Sequence, residues 1–179
     1  DVFEQDGVIV HVLSAELARQ QVIGHIDWAR RFDHMQQHTG QHVLSQSFVR
    51  VLGAQTISFH LGDTVSTIDL DRPALAASDA DQVEDLANAV VFENRPVRTL
   101  VLSEAEVADL ALRKTPSKTG SIRVVAVADF DRSPCGGTHV RATGELGLIK
   151  VRKWEPRARG VRVEFLVGQR ALRDYRWKN

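Results

Sequence analysis

The sequence predicts an α+β fold: a largely antiparallel sheet packed on a long helix, with a small N-terminal β element. Three observations carry that expectation. Residues 34–52 keep a helical rhythm for several turns and stop at Gly53. Short alternating runs are scattered through the rest of the chain without a regular βαβ spacing. The first twelve residues read as a hairpin, because Asp6-Gly7 accepts the positive φ angles that a two-residue turn needs.

Residues 1–26 are expected to form that small β element and 27–179 the main domain. Asp33 precedes the helical run and can cap it, with Gln36 three residues on completing a capping box. At roughly 100° per residue, Met35, His38, His42, Ser45, Phe48, Val49 and Leu52 share one arc. Gln36, Gly40, Ser47 and Arg50 fall opposite, on the expected outer face. Strands are expected at 56–61 and 65–70, joined around Gly62-Asp63. A helix capped by Ser78 or Asp79 should run to about Asn94, followed by a strand over 96–102. Ser103-Glu104-Ala105-Glu106 opens a short helix to about Lys114, and 115–120 is a Pro/Gly/Ser/Lys loop. Further strands are expected at 123–128, 145–153 and 161–167, and a last helix from Gln169 to Trp177.

The chain has 179 residues, 43% of them apolar and 26% charged, the profile of an ordinary globular protein. No apolar run approaches a bilayer-spanning length and no leader pattern opens the chain, so a cytoplasmic location is expected. Cys135 is the single cysteine, so the fold needs no internal disulfide. Net charge is zero, which argues against a generally basic nucleic-acid binder. The charge is unevenly spread, however. Residues 61–110 hold eleven acidic and three basic side chains, and residues 150–179 hold ten basic and three acidic. Either the two segments are solvated faces of opposite sign, or the basic one meets phosphates through Lys150, Arg152, Lys153, Arg157, Arg159 and Arg162.

The strongest chemical signal is His38-Thr39-Gly40-Gln41-His42. Histidines four apart on a helix are neighbours on one face and can grip one ion. Far downstream, after a strand and an aspartate/serine/proline turn at 131–134, comes Cys135-Gly136-Gly137-Thr138-His139, whose glycines let a loop fold tightly enough to bring thiolate and imidazole together. Three nitrogens and one sulfur suit tetrahedral zinc. Taken singly, the histidine pair could be satisfied core residues and the cysteine a small hydrophobe. Their conjunction favours Zn2+ held by His38, His42, Cys135 and His139. The metalloprotease pattern is excluded, because position 39 is threonine where that motif carries a glutamate.

HTGQH followed by CGGTH resembles the editing domain shared by alanyl-tRNA synthetase and the free-standing alanyl-tRNA editing proteins. The run from Arg30 and Arg31 through His42, with Ser58-Phe59-His60-Leu61-Gly62 and Ser66-Thr67-Ile68-Asp69-Leu70, is similar to the free-standing proteins. Thr138, where the threonine branch typically has proline, favours the alanine branch. The resemblance implies a zinc-containing deacylase that hydrolyses the ester of seryl-tRNA(Ala), or glycyl-tRNA(Ala), without a nucleotide cofactor. It implies the four ligands above and, as partner, the acceptor end of tRNA(Ala). Residues 1–26 resemble only the last strands of a longer N-terminal β-barrel, so further domains of a longer chain are expected.

Within that reading, Thr39, Gln41 and His60 are candidates to read the extra hydroxyl of serine. Gly136, Gly137 and Thr138 could offer backbone groups to the oxyanion or the terminal adenosine, or merely shape the loop. Arg31, Lys150, Arg152, Lys153, Arg157 and Arg162 are the expected tRNA contacts. The competing readings are a structural zinc domain that binds RNA or protein without catalysis, and a different zinc hydrolase acting on a small ester.

Overall fold

The computed structural model describes residues 2–17, 21–116 and 119–178. Parts of the expected 1–26 element and of the expected 115–120 loop lie outside them. Strands β1 (Val2–Gln5) and β2 (Val8–His11) form the N-terminal hairpin, turning on Asp6 and Gly7, both at positive φ. Helix α1 (Trp28–Leu52) is followed by the β3 (Thr56–Leu61) and β4 (Ser66–Leu70) hairpin and helix α2 (Ala77–Phe92). Then come β5 (Val97–Leu102), α3 (Glu104–Ala108), β6 (Ile122–Val127) and β7 (Asp131–Pro134). A 3-10 turn, α4 (Thr143–Leu146), leads into β8 (Ile149–Arg157), β9 (Gly160–Val167) and α5 (Gln169–Lys178).

Every strand pair is antiparallel. Besides the hairpin there is a four-stranded sheet ordered β3-β4-β9-β8 and a three-stranded sheet ordered β5-β6-β7. The expected α+β class therefore holds, but the central helix serves two sheets. It packs on β3, β4 and β9 on one side and on β7 on another, with α2 and α4 beside it. Phe48, Leu44, Ile68, Leu70, Val83 and Phe165 are the large side chains at the centre of this core.

Helix α1 begins six residues earlier than the capping pattern predicts. Asp27 is its cap, accepting from the Arg30 amide at 3.0 Å. Asp33 is instead drawn into a forked ion pair with Arg170 of α5, at 2.6–3.1 Å. The expected outer face is also covered. Gln36, Gly40 and Ser47 are buried, because elements surround the helix. Gln37 bonds both backbone groups of Val167 at 3.0 Å, acting as a short extension of the β9 edge. Gly40 lets helix and sheet close up: a Cβ there would sit 2.4 Å from Val167 Cγ2.

Smaller departures have local causes. The cap of α2 is Ala76, without a side-chain bond, so neither Ser78 nor Asp79 caps it. Ser103 and Glu106 do form a capping box, but α3 ends at Ala108. Residues 131–134, expected as a turn, pair with β6 as a strand. Residues 145 and 146, expected in a strand, lie in α4, and β8 starts only after the left-handed Gly147.

Candidate metal centre

The donor atoms of His38, His42, Cys135 and His139 all lie within 4.8 Å of one another. Helix α1 presents both histidines, and the loop after β7 presents the cysteine and the third imidazole. Cys135 Sγ is 3.3 Å from His38 Nε2 and 3.3 Å from His139 Nε2. A tetrahedral zinc with bonds of about 2.0–2.3 Å would space its donors by roughly 3.3–3.6 Å. The cluster thus has the size as well as the donor chemistry of a divalent cation site, and small adjustments would close it on an ion.

The centre is held from behind. Strand alternation puts Asp131 and Ser133 on one face of β7, and Cys135 follows directly after the strand. Buried Asp131 sits 3.3 Å from His42 Nδ1, leaving Nε2 to point at the cluster, and receives Arg113 Nε at 2.9 Å. A buried carboxylate on the outer nitrogen fixes the tautomer and direction of a ligating histidine. Thr39 does the equivalent for His139, its hydroxyl lying 3.1 Å from Nδ1 while accepting from the Val140 amide at 3.1 Å. Arg123 clamps the Cys135 carbonyl at 2.5 Å.

Protonation follows from these contacts. Burial alone would raise the Cys135 thiol, but the bonds from His139, His38 and His42 outweigh it and hold it down at about 3. The sulfur is therefore a thiolate at neutral pH, the form that binds metal. Burial, helped by the neighbouring His42 and His38 charges, lowers His139 to about 4 against the opposing pull of Cys135. Burial would lower His42 too, yet the bonds to Asp131 and Cys135 raise it. Asp131 stays below the usual carboxylate range, since His42 and Arg113 overcome the penalty of its burial.

Other residues singled out in the sequence are placed as follows. The Gly137 amide is directed at Cys135 Sγ, 3.4 Å away, and a Cβ on Gly137 would sit 2.1 Å from His38 Cε1. Gly136 has open space around it. Gln41 is buried and donates to Ser45 at 2.8 Å, and Thr56 donates to the same hydroxyl at 2.7 Å. His60 is not brought to the cluster: alternation along β3 directs it to the face opposite Phe59, beside Gly62. Phe59 is the neighbour that sequence reasoning missed, stacked 6.1 Å from the His38 ring with Lys114 Nζ 5.9 Å from its centroid. Asp131 and Arg113 were missed as well, because 131–134 reads as a turn.

The basic side chains of β8 and β9 are spent on carboxylates. Lys150 meets Glu84 at 2.7 Å, Arg152 meets Glu164 at 3.0 Å, and Lys153 meets Glu164 at 3.6 Å. Arg162 forks onto Asp69 at 2.7 and 2.8 Å, and Arg157 pairs with Glu155. The uneven charge of the sequence is thus partly an internal match, with Glu84 and Asp69 coming from the acidic segment.

A concavity of about 570 Å³ borders the centre from behind, through Asp131 and Arg113. Two smaller ones border the cysteine loop itself. One of about 270 Å³ reaches Cys135 and Gly136. The other, about 370 Å³, reaches Thr138 and His139 and carries Thr99, Arg31, Arg123 and Arg141.

Fold and site together define an α+β domain with three histidines and one cysteine that could hold a cation beside a cleft. Residues 122–164 match the family described as the threonyl and alanyl tRNA synthetase second additional domain. The chain is 39% identical over 187 residues to an alanine–tRNA ligase of Pyrobaculum aerophilum, covering 97% of this chain and 21% of that protein. It is 34% identical over 177 residues to alanyl-tRNA editing protein Aarsd1-B of Xenopus laevis, covering 96% of this chain and 43% of the relative. With Aarsd1 of Mus musculus it shares 37% identity over 157 residues, 86% of this chain and 38% of the relative. The chain is thus similar over most of its length to one part of alanine–tRNA ligases and alanyl-tRNA editing proteins. It spans less than half the length of these curated relatives. Among the described residues no helix is long and apolar enough to cross a membrane.

Proposed function

We propose that this domain proofreads tRNA(Ala) in trans, hydrolysing the ester that joins a wrong amino acid, serine above all, to the terminal ribose. The observation that carries this reading is the convergence of His38, His42, Cys135 and His139, within 4.8 Å, next to an open cleft in a chain similar to alanyl-tRNA editing proteins. Residues 27–179 make up the editing unit and residues 1–26 a separate β element. The site of action is the cytoplasm.

The four residues would hold Zn2+, which supplies positive charge to organise the pocket and orient the aminoacyl or ribose group. Four protein donors would leave no open position on such an ion, so the labile ester would rely on positioning and on the surrounding polar groups. The Cys135 thiolate would offset part of the cation's charge. Asp131 and Thr39 keep His42 and His139 aimed inward, and the Gly137 amide supports the sulfur. Serine exceeds alanine by one hydroxyl, and a pocket that hydrogen-bonds it disfavours alanine. Thr39 enters that discrimination through His139. Thr39→Val keeps the side-chain shape and removes the hydroxyl, and the expected change is a lower ratio of seryl to alanyl hydrolysis.

The test is deacylation of seryl-, glycyl- and alanyl-tRNA(Ala) by the wild type and Cys135→Ala, with metal content measured on both. Hydrolysis of seryl-tRNA(Ala) by the wild type, lost together with the metal in a folded Cys135→Ala, is the expected result. A metal-loaded wild type that leaves all three esters intact would mean a structural zinc domain instead.

A further inference from the structure

The cleft of about 370 Å³ beside His139 is lined by three arginines, Arg31, Arg123 and Arg141. Arg31 and Arg123 have no carboxylate within 4 Å among the described residues, whereas the basic residues of β8 and β9 described above are paired. Arg123 is fixed in place by its bonds to the Cys135 carbonyl at 2.5 Å and Thr99 Oγ1 at 3.2 Å. Arg141 pairs with Glu145 at 3.2 Å, but its side chain is 91% exposed and can swing to another anion. At the mouth lies Trp28, the first residue of α1. Its ring stacks on Phe32 with centroids 6.2 Å apart, and the residue is 63% exposed. A large exposed aromatic beside unpaired arginines is the arrangement that binds single-stranded nucleic acid, with bases stacking and backbone phosphates taking the charge.

We infer that this cleft holds the single-stranded 3′ end of an RNA acceptor, with Trp28 stacking on a base and Arg31, Arg123 and Arg141 meeting phosphates, so that the terminal ribose arrives at His139. This inference rests on the proposed function for the chemistry at the end of the strand, but the binding it describes can be measured without any hydrolysis. It also moves the RNA contact from the neutralised face of β8 and β9 to the N-terminal turn of α1 and the neighbouring strands β5 and β6.

The experiment is fluorescence anisotropy with the whole chain and a 5′-labelled RNA minihelix ending in single-stranded CCA, with a blunt-ended minihelix as comparison. Both are titrated across a salt series. The wild type should prefer the CCA-ended RNA. Trp28→Ala should weaken that preference roughly 10-fold. Arg31→Ala should weaken binding and reduce the steepness of the salt dependence by about one contact's worth, and Arg31→Lys should restore the slope. Both positions are exposed, so thermal melts should match the wild type. Lys150→Ala and Lys153→Ala should leave the CCA preference intact. Equal binding of CCA-ended and blunt RNA, or Trp28→Ala and Arg31→Ala behaving as wild type while the β8 variants weaken binding, overturns the inference. A protein that binds as expected but leaves seryl-tRNA(Ala) intact retains this cleft and loses the proposed activity. A protein that hydrolyses the ester with unchanged KM in Trp28→Ala and Arg31→Ala retains the activity and loses this cleft.

Discussion

Gly137→Ala is a one-methyl test of the metal centre. A Cβ on Gly137 would lie 2.1 Å from His38 Cε1, and ordinary contact begins at 3.4 Å, so ring and loop must separate by 1.3 Å. Metal–ligand bonds tolerate displacements of only about 0.2 Å. The substitution therefore removes His38 from the coordination sphere or drags the cysteine loop away from α1. A structural zinc site is worth roughly 10–16 kcal/mol in all, so one ligand of four is worth about 3 kcal/mol, or on the order of 100-fold in affinity. Gly136→Ala is the control. It lies in the same loop, has nothing within 4 Å of an added Cβ, and does not hold a left-handed φ. Zinc affinity is read by competition with a chromogenic chelator, alongside thermal melts of the apo proteins to show equal folding. Gly136→Ala should bind zinc as the wild type does. If Gly137→Ala matches it within a factor of about three, the ring of His38 is not a ligand in this geometry and the argument from close packing fails.

Three further outcomes are expected. Asp131→Asn should lower zinc affinity roughly 10- to 100-fold and destabilise the fold, because it weakens the bond to His42 and leaves buried Arg113 without its anion; chelator competition and melts measure both. Zinc uptake should weaken as pH falls through and below the raised pKa of His42, since a proton held there by Asp131 and Cys135 competes with the ion; calorimetric titration in buffers of different ionisation heat would count that proton, and a count independent of pH would refute it. Asp69 is held down to about 2 by Arg162, although partial burial opposes this, so its contribution is present above the ordinary carboxylate range and lost as pH falls towards 2; Asp69→Asn should be less stable near neutrality and show a shallower acid-unfolding transition.

Much of the centre was legible in the sequence because its spacing is local. Two histidines one helical turn apart, and a cysteine and histidine flanking two glycines, reveal their faces without knowledge of the fold. What was not legible depends on which elements surround them. Gln36 and Gly40 look like an outer face until a second sheet covers it, and only the Val167 contact explains why position 40 carries no side chain. Asp131 was hidden because Asp-Arg-Ser-Pro has turn composition, and its strand exists only by pairing with β6. The basic run near the C-terminus looked available for phosphates. Two of its partners, Glu84 and Asp69, are distant in sequence and adjacent only after β4, β8 and β9 align beside α2.

The two halves of the centre are tied to each other by contacts that require no ion. Thr39 on α1 bonds the Val140 amide, Gln37 bonds β9, and Arg123 holds the Cys135 carbonyl from β6. The core around Phe48, Phe165 and Val83 lies among these elements and is closed on its own. Ligands held this way lose little freedom when a cation enters, so affinity comes from the donors and not from ordering the chain. The same reasoning separates this domain from small zinc modules that unfold when stripped, whose binding energy is their folding energy. A chelated sample should keep its helical circular dichroism and much of its melting temperature. If the proposed deacylation is then lost under chelation, that loss reports on the pocket itself, whereas a collapse of the fold on metal removal would show that the ion, and not the packing of α1 between two sheets, brings Cys135 to the histidines.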